Sequence, residues 1–253
     1  MPLALETVKE LLDGLYDKYN RQEFIANDPI LIPHRYSKRE DVEISGFFAS
    51  HLAWGGRAAI IKAASSLMER MEDAPFDFIL NHTESDLKRF SSFVYRTTQA
   101  ADIQFFIKAL QRIYNHHGSL EQVFKEGISN TCHDTYNAIQ HFRSLMLETS
   151  HLSRSEKHLA NPASGAAAKR TNLFLRWMVR KDDRGVDFGI WESISPGLLI
   201  CPLDIHTGNA ARELGLITRK ANDRIAAEQL TEILRQFDPR DPVKYDFALF
   251  GYG

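Results

Sequence analysis

Ala166–Lys181 reads AAAKRTNLFLRWMVRK, and its periodicity decides the fold class. At 100° per residue, Lys169, Asn172, Arg176 and Arg180 fall at about 0°, 300°, 340° and 20°, one narrow polar stripe. Ala168, Leu173, Phe174, Leu175, Trp177, Met178 and Val179 occupy most of the remaining circumference. A helix that is apolar most of the way round is buried, and its charged stripe must face a cleft, a ligand or an ion-pair network. Two readings stand side by side. One is a lysine at a helix start, facing a cleft and backed by arginines. The other is a row of cations paired with acids of a neighbouring helix.

The same helical spacing recurs outward from this stretch. Upstream, Asn161-Pro162-Ala163-Ser164-Gly165 reads as a turn, and Ala101 to Tyr114 and Asp134 to Leu147 read as helices. An apolar helical stretch runs from Val42 through AAIIKAASSLM, interrupted at Trp54-Gly55-Gly56, and NDPILIPHRYSKR (27–39) is broken by proline. Leu5, Val8, Leu11, Leu12, Leu15 and Tyr19 line one face of a first helix. Downstream, DDRG (182–185) is a break, Asp187 to Ser193 reads as a short helix, and LLICPL (198–203) as an extended run. Thr207 is placed to cap a helix that ends at Gly215, and Asn222 or Asp223 to start another. Sustained alternation of apolar and polar residues is absent, so the expected class is all-α with no substantial sheet.

Composition sets outer limits. The 253 residues, 43% hydrophobic and 25% charged, suffice for a full core in one large domain or two lobes. Charges throughout the first 19 residues argue against a signal peptide, and no apolar run reaches the roughly 20 residues of a membrane span. Cys132 and Cys201 are too few for a disulfide framework or an iron–sulfur cluster, so a reducing cytosol is the expected compartment. The formal net charge of −2 argues mildly against a nucleic-acid partner, yet Arg154–Arg184 holds eight Lys or Arg against three acids. No phosphate loop, zinc-ligand spacing or nucleophile elbow is present, and no cofactor is expected.

PLDIHTGNAARELGL (202–216) sets Asp204 and His206 beside an apolar run, just before a helix. Aspartate there is a good helix cap, and two candidate ligands without a third make a weak metal signal. The segment resembles the signature of the helix-hairpin-helix DNA glycosylase superfamily, with Leu203-Asp204-Ile205-His206, Arg212 and Leu214-Gly215-Leu216 as counterparts. Lys169-Arg170-Thr171-Asn172 is similar to the Lys-x-x-Asn that opens a helix after the superfamily's Gly-rich hairpin. FFASHLAWGGRAAIIKAASSL (47–67) is similar to the turn that enters the duplex, with Trp54-Gly55-Gly56 near its place. The likeness spans roughly residues 42–253, and the chain also looks like an uncharacterised bacterial family with RWMVR, PLDxH and DPVKYDFALFG blocks. Departures are clear. The hairpin is NPASGAA (161–167), with one glycine, and the 35 residues from Lys169 to Asp204 exceed the common spacing. An archaeal 8-oxoguanine-glycosylase branch resembles this longer spacing.

The resemblance implies a two-lobed helical bundle with a cleft between lobes, as one unit over 1–253 with N-terminal helices to about residue 41. It implies a damaged-base glycosylase with possible lyase activity on double-stranded DNA. Lys169 supplies the amine and Asp204 the carboxylate. Ser164, Gly165, Arg170, Arg176, Trp54 and Gly55 are expected at DNA. His206, Trp191 and Phe188 are expected at the flipped base, although Trp177 and the other aromatics also read as core. Two alternatives remain open: a DNA-binding module of the same fold with altered chemistry, and a non-nucleic-acid enzyme or adaptor.

Overall fold

The computed structural model describes residues 4–129 and 133–253. Helices take up 65% and strand 2%, so the protein is all-α in class. The α-helices are α1 (Leu5–Tyr19), α2 (Arg39–His51), α3 (Arg57–Arg70), α4 (Pro75–Asn81), α5 (Ala100–His117), α6 (Leu120–Glu126), α7 (Tyr136–Leu147), α8 (Lys169–Val179), α9 (Ile205–Glu213), α10 (Arg224–Phe237) and α11 (Tyr245–Tyr252). One small antiparallel ribbon pairs β1 (Val94–Tyr95) with β2 (Thr98–Gln99). No described helix is long and apolar enough to cross a membrane. Cys132 lies outside the described residues.

The chain divides into two compact units, each discontinuous in sequence. The first comprises residues 1–26, 131–136 and 161–253; the second comprises 27–130 and 137–160. In the second, α2 is buried from Val42 to His51. Its Phe47 meets Phe48, Phe106 and Phe142 edge-on at 5.4–5.9 Å, a geometry that suits the ring quadrupoles. A polar knot holds the start of α5. The buried Asp102 carboxylate accepts from Ser155 Oγ (2.6 Å) and the Gln99 amide (2.8 Å), and pairs with Arg154 at 3.2 Å. Burial alone would raise that carboxyl's pKa, but these donors and His158 hold it below the usual range.

The first unit joins both ends of the described chain. α1 packs on α11, with Val8 and Leu12 fully buried. Tyr245 donates to Asp13 at 2.9 Å, and Tyr16 and Asn20 donate to Asp182 at 3.1 and 2.7 Å. Beside them α8 buries Phe174, Leu175, Trp177 and Met178 completely, as an all-round apolar helix should.

Two local expectations are corrected. Asp187–Ser193 is irregular instead of helical, because amides in it are spent on α8: Phe188 and Trp191 donate to the carbonyls of Trp177 and Met178. Residues 199–203 lie outside helix and strand, with Leu199 in extended backbone, and Cys201 donates its amide to Thr231 Oγ1 of α10. Asp204, not Thr207, caps α9, since an aspartate three residues ahead of the Thr207 amide reaches it first.

The inner part of the stripe is an ion-pair network, so Arg176 and Arg180 are paired with acids as the second reading expects, although of those acids only Asp246 lies on a helix and Asp182, Asp187 and Asp241 lie in connections. Arg180, 0% exposed, bonds Asp187 at 3.0 Å, Asp241 at 2.9 Å, Asp182 at 2.8 Å and Tyr16 Oη at 2.7 Å. Burial alone would favour its neutral form; Asp187, Asp241, Tyr16 and Asp182 more than reverse that. Arg180→Ala removes the cation shared by Asp187, Asp241 and Asp182, and leaves the fully buried Asp187 with Arg176 as its remaining cation. A destabilisation of about 3–5 kcal/mol is expected in chemical denaturation. A change under about 1 kcal/mol would mean that water already reaches the network.

Candidate functional site

Lys169 opens α8 because the chain before it cannot be helical. Pro162–Ser164 form a 3-10 turn, Gly165 turns left-handed at φ +88°, and Ala168 does so again at φ +53°. A left-handed conformation suits glycine at 165 and strains alanine at 168. Hydrogen bonds hold the turn. Asn172 Nδ2 and Tyr136 Oη donate to Ala167 O at 2.9 and 3.4 Å, and the Arg224 amide donates to Gly165 O at 2.9 Å.

Asp204 arrives opposite. Its Oδ1 accepts the Thr207 amide at 3.0 Å, and its Oδ2 stands 3.6 Å from Lys169 Nζ. One carboxylate thus caps α9 and faces the lysine at once. The pair is open to solvent in part, with side chains 28% and 36% exposed. Ile205 and His206 follow on the exposed start of α9, Ile205 at 68%. Arg212 donates to Arg219 O, Lys220 O and Asn222 Oδ1, which ties the far side of α9 to the loop leading into α10.

Behind the pair lies a carboxylate that the sequence reading missed. Asp246 of α11 is buried, bonds Arg176, and sits 4.0 Å from Cys201 Sγ. Burial pushes its carboxyl up to about 6; Arg176 and Lys169 pull it down, while Asp204 adds to the rise. Burial also pushes the Cys201 thiol well above its usual range, so Cys201 is a packing group and no nucleophile. A signal for Asp246 was present in the sequence: it is the only charge in YDFALFGY.

The other expected residues divide. Ser164 and Gly165 are exposed, and Arg170 is half-buried, its pKa lowered by burial. Arg176 is corrected: it is buried, its guanidinium lies between Asp187 (3.3 Å) and Asp246 and over the Phe247 ring, and it has no surface to offer DNA. Trp191 is corrected likewise. It is buried edge-on against Phe174 at 5.3 Å, because its apolar bulk fills the core beside α8. Trp177 is core, and Phe188 is half-buried. In the second unit Trp54 is 54% exposed, with Arg96 stacked over its ring at 5.1 Å and Tyr95 donating to its carbonyl at 2.9 Å. Gly55 has φ +116°, and a Cβ there would collide with the Arg96 guanidinium. Among the described residues no group of three or more His, Cys, Asp or Glu could hold a metal ion.

Residues 28–253 match the DUF2400 family, described as proteins of unknown function. The chain belongs to this family. No curated protein and no solved structure matches. The DUF2400 match contains Lys169, Asp204, Asp246 and Trp54, and leaves out α1, which nevertheless packs on α11 behind the site.

Proposed function

We propose that this protein is a DNA glycosylase with AP-lyase activity, of two-lobed helix-hairpin-helix architecture and acting in a reducing cytosol. The observation that carries the reading is the approach of Lys169 Nζ to within 3.6 Å of Asp204 Oδ2 at two partly open helix starts. An amine and a carboxylate are what the reaction needs. The Lys169 ammonium first sheds a proton to solvent. The amine lone pair then attacks sugar C1′, the bond from C1′ to the base breaks, and the base leaves with that electron pair and takes a proton. Asp204, negatively charged, stabilises the cationic sugar between bond breaking and bond making. The nitrogen proton passes to O4′ as the C1′–O4′ bond breaks and the iminium forms; solvent then takes a C2′ proton, and the electron pair of that C–H bond forms the C2′–C3′ double bond, expels the 3′ phosphate and cuts the strand. Trp54 with Arg96 offers an aromatic face and a cation to an unstacked duplex.

A second reading is a binding module of the same fold with silent chemistry. It is favoured by the ion pair itself, since an ammonium is no nucleophile. The experiment that separates the two is borohydride trapping on duplexes carrying an abasic site, 8-oxoguanine, uracil, an alkylated purine or an oxidised pyrimidine. A covalent adduct supports the enzyme; salt-dependent binding without an adduct supports the module.

Arg170 and the start of α8 are the proposed phosphate contact, since amides at a helix start attract anions; the exposed Ser164–Gly165 turn lies beside them, its own amides spent on Asn161 O and Pro162 O. Arg170→Ala is then expected to weaken binding to every duplex alike and to lower the salt slope by about 1. Fluorescence anisotropy across a salt series checks this; unchanged affinity and slope would place the docking surface elsewhere.

A further inference from the structure

Of the three tryptophans, Trp177 and Trp191 are buried and Trp54 is exposed. An indole left in water forfeits the gain of burial, so its posture needs a cause. The ring is held from two sides. Tyr95 Oη donates to Trp54 O at 2.9 Å, and the Arg96 guanidinium lies over the indole at 5.1 Å. Arg96 reaches that place through strain. Tyr95 pairs with Thr98, so Arg96 and Thr97 form a two-residue hairpin loop, and Arg96 takes φ +52° at its first position. That conformation suits glycine, asparagine or aspartate and strains arginine. On the other side of the contact Gly55 has φ +116° and no Cβ, and a Cβ there would fall on the guanidinium. A strained arginine and a glycine slot thus fix one exposed ring. Strain of this kind collects at ligand clamps, and a ring fixed beforehand loses less freedom when something stacks on it.

The surroundings select the ligand. Asp and Glu are absent from 44–68 and 87–101, the stretches that carry the ring and the hairpin, while Arg57, Lys62, Lys88 and Arg96 are exposed there. A flat aromatic beside unopposed positive charge matches a nucleobase and its phosphate. We propose that Trp54 is a stacking platform for an unpaired base of a single DNA strand, and that Arg96 is the positioning residue that holds the ring outward for it. The inference rests on the reading of this protein as one that meets DNA, and uses none of the Lys169–Asp204 chemistry. An anionic membrane also attracts exposed tryptophan and cations. Its apolar interior fits this ring less well, because Trp54 would carry the stacked guanidinium in with it and strip its water.

Since the other two tryptophans are buried, the intrinsic fluorescence of the full-length protein reports ligands at Trp54. Titration with a short oligothymidylate at low salt is expected to quench it, and a blunt duplex of the same length to quench it less. Trp54→Ala is expected to weaken oligothymidylate binding, read by anisotropy of a labelled strand, about tenfold, the scale of one base–aromatic stack. Trp54→Phe, which keeps a ring, is expected to retain most of the affinity. Arg96→Gly isolates the arginine. Glycine suits φ +52°, so the hairpin should stay and the melting temperature should hold or rise. Affinity is nevertheless expected to fall about three- to tenfold, the cost of ordering one loosened side chain on binding. Arg96→Lys, which keeps the charge, is expected to lie between. Unquenched wild-type fluorescence overturns the proposal, and a blue shift with phosphatidylserine vesicles in its place would make this surface a membrane contact. An Arg96→Gly variant that binds as the wild type does also overturns it, since arginine would then only fill a turn. Borohydride trapping addresses the lysine alone. A lesion panel that traps nothing removes the glycosylase and leaves the platform as measured; an adduct without a Trp54 response removes only the platform.

Discussion

Lys169→Ala is expected to abolish the borohydride-trapped protein–DNA adduct while leaving the fold in place. The wild-type amine projects from the first residue of α8, with 28% of its side chain open, so it can meet a sugar carbon without unfolding anything. Removing it deletes the atom that forms the covalent bond, and the loss should exceed about 10³-fold, as for other nucleophile deletions. Stability should change by less than about 1 kcal/mol, because a partly exposed ion pair contributes little. Arg170 and Thr171 keep the helix start, and the turn before it is held through the backbone carbonyls of Ala167 and Gly165 by Asn172, Tyr136 and the Arg224 amide. Circular dichroism and a melting curve settle the folding part; denaturing gels settle the adduct. An adduct that persists in the alanine variant would point to another amine, and the assignment of Lys169 would then be withdrawn.

Much of this arrangement is legible in the sequence, and the reason is local. The apolar circumference of 168–179 forces α8 into the core, and α10 begins after Asp223, whose side chain accepts the Ala226 amide as a helix cap should. Local pattern places Lys169 and Asp204 near helix starts, and it is the resemblance that singles them out as a pair. What cannot be read is what lies opposite them. The Arg176 and Arg180 partners come from three separate stretches, 182–187, 241 and 246, and no spacing rule joins those to α8. Arg176 therefore looks like a DNA contact and proves to be a buried bridge. The irregular course of 187–193 is hidden for a related reason: its hydrogen bonds go to the end of α8, which local propensity does not see. Asp246 is the instructive omission. A lone acid in an apolar octapeptide is costly to bury, and that cost alone argues for a cation waiting for it.

Asp204→Asn separates the two duties of one carboxylate. Asparagine keeps a carbonyl oxygen where Oδ1 accepts the Thr207 amide, and it ranks with aspartate as a helix cap, so α9 should stay folded. What is lost is the charge 3.6 Å from Lys169 Nζ. If that charge stabilises the cationic sugar, base release in single-turnover assays should slow by roughly 10²–10³-fold, the scale seen when one preorganised electrostatic partner is removed. Lesion binding should persist, and it should tighten where phosphate oxygens approach, since a carboxylate repels them in the ground state. A capping role alone predicts a different pattern. Asp204→Asn would then leave rates intact, and only Asp204→Ala would matter, through a stability loss of about 1 kcal/mol. Measuring both variants for melting temperature and single-turnover rate therefore gives each reading its own signature. A slow asparagine variant with an unshifted melt assigns Asp204 to the chemistry; a fast one confines it to the helix.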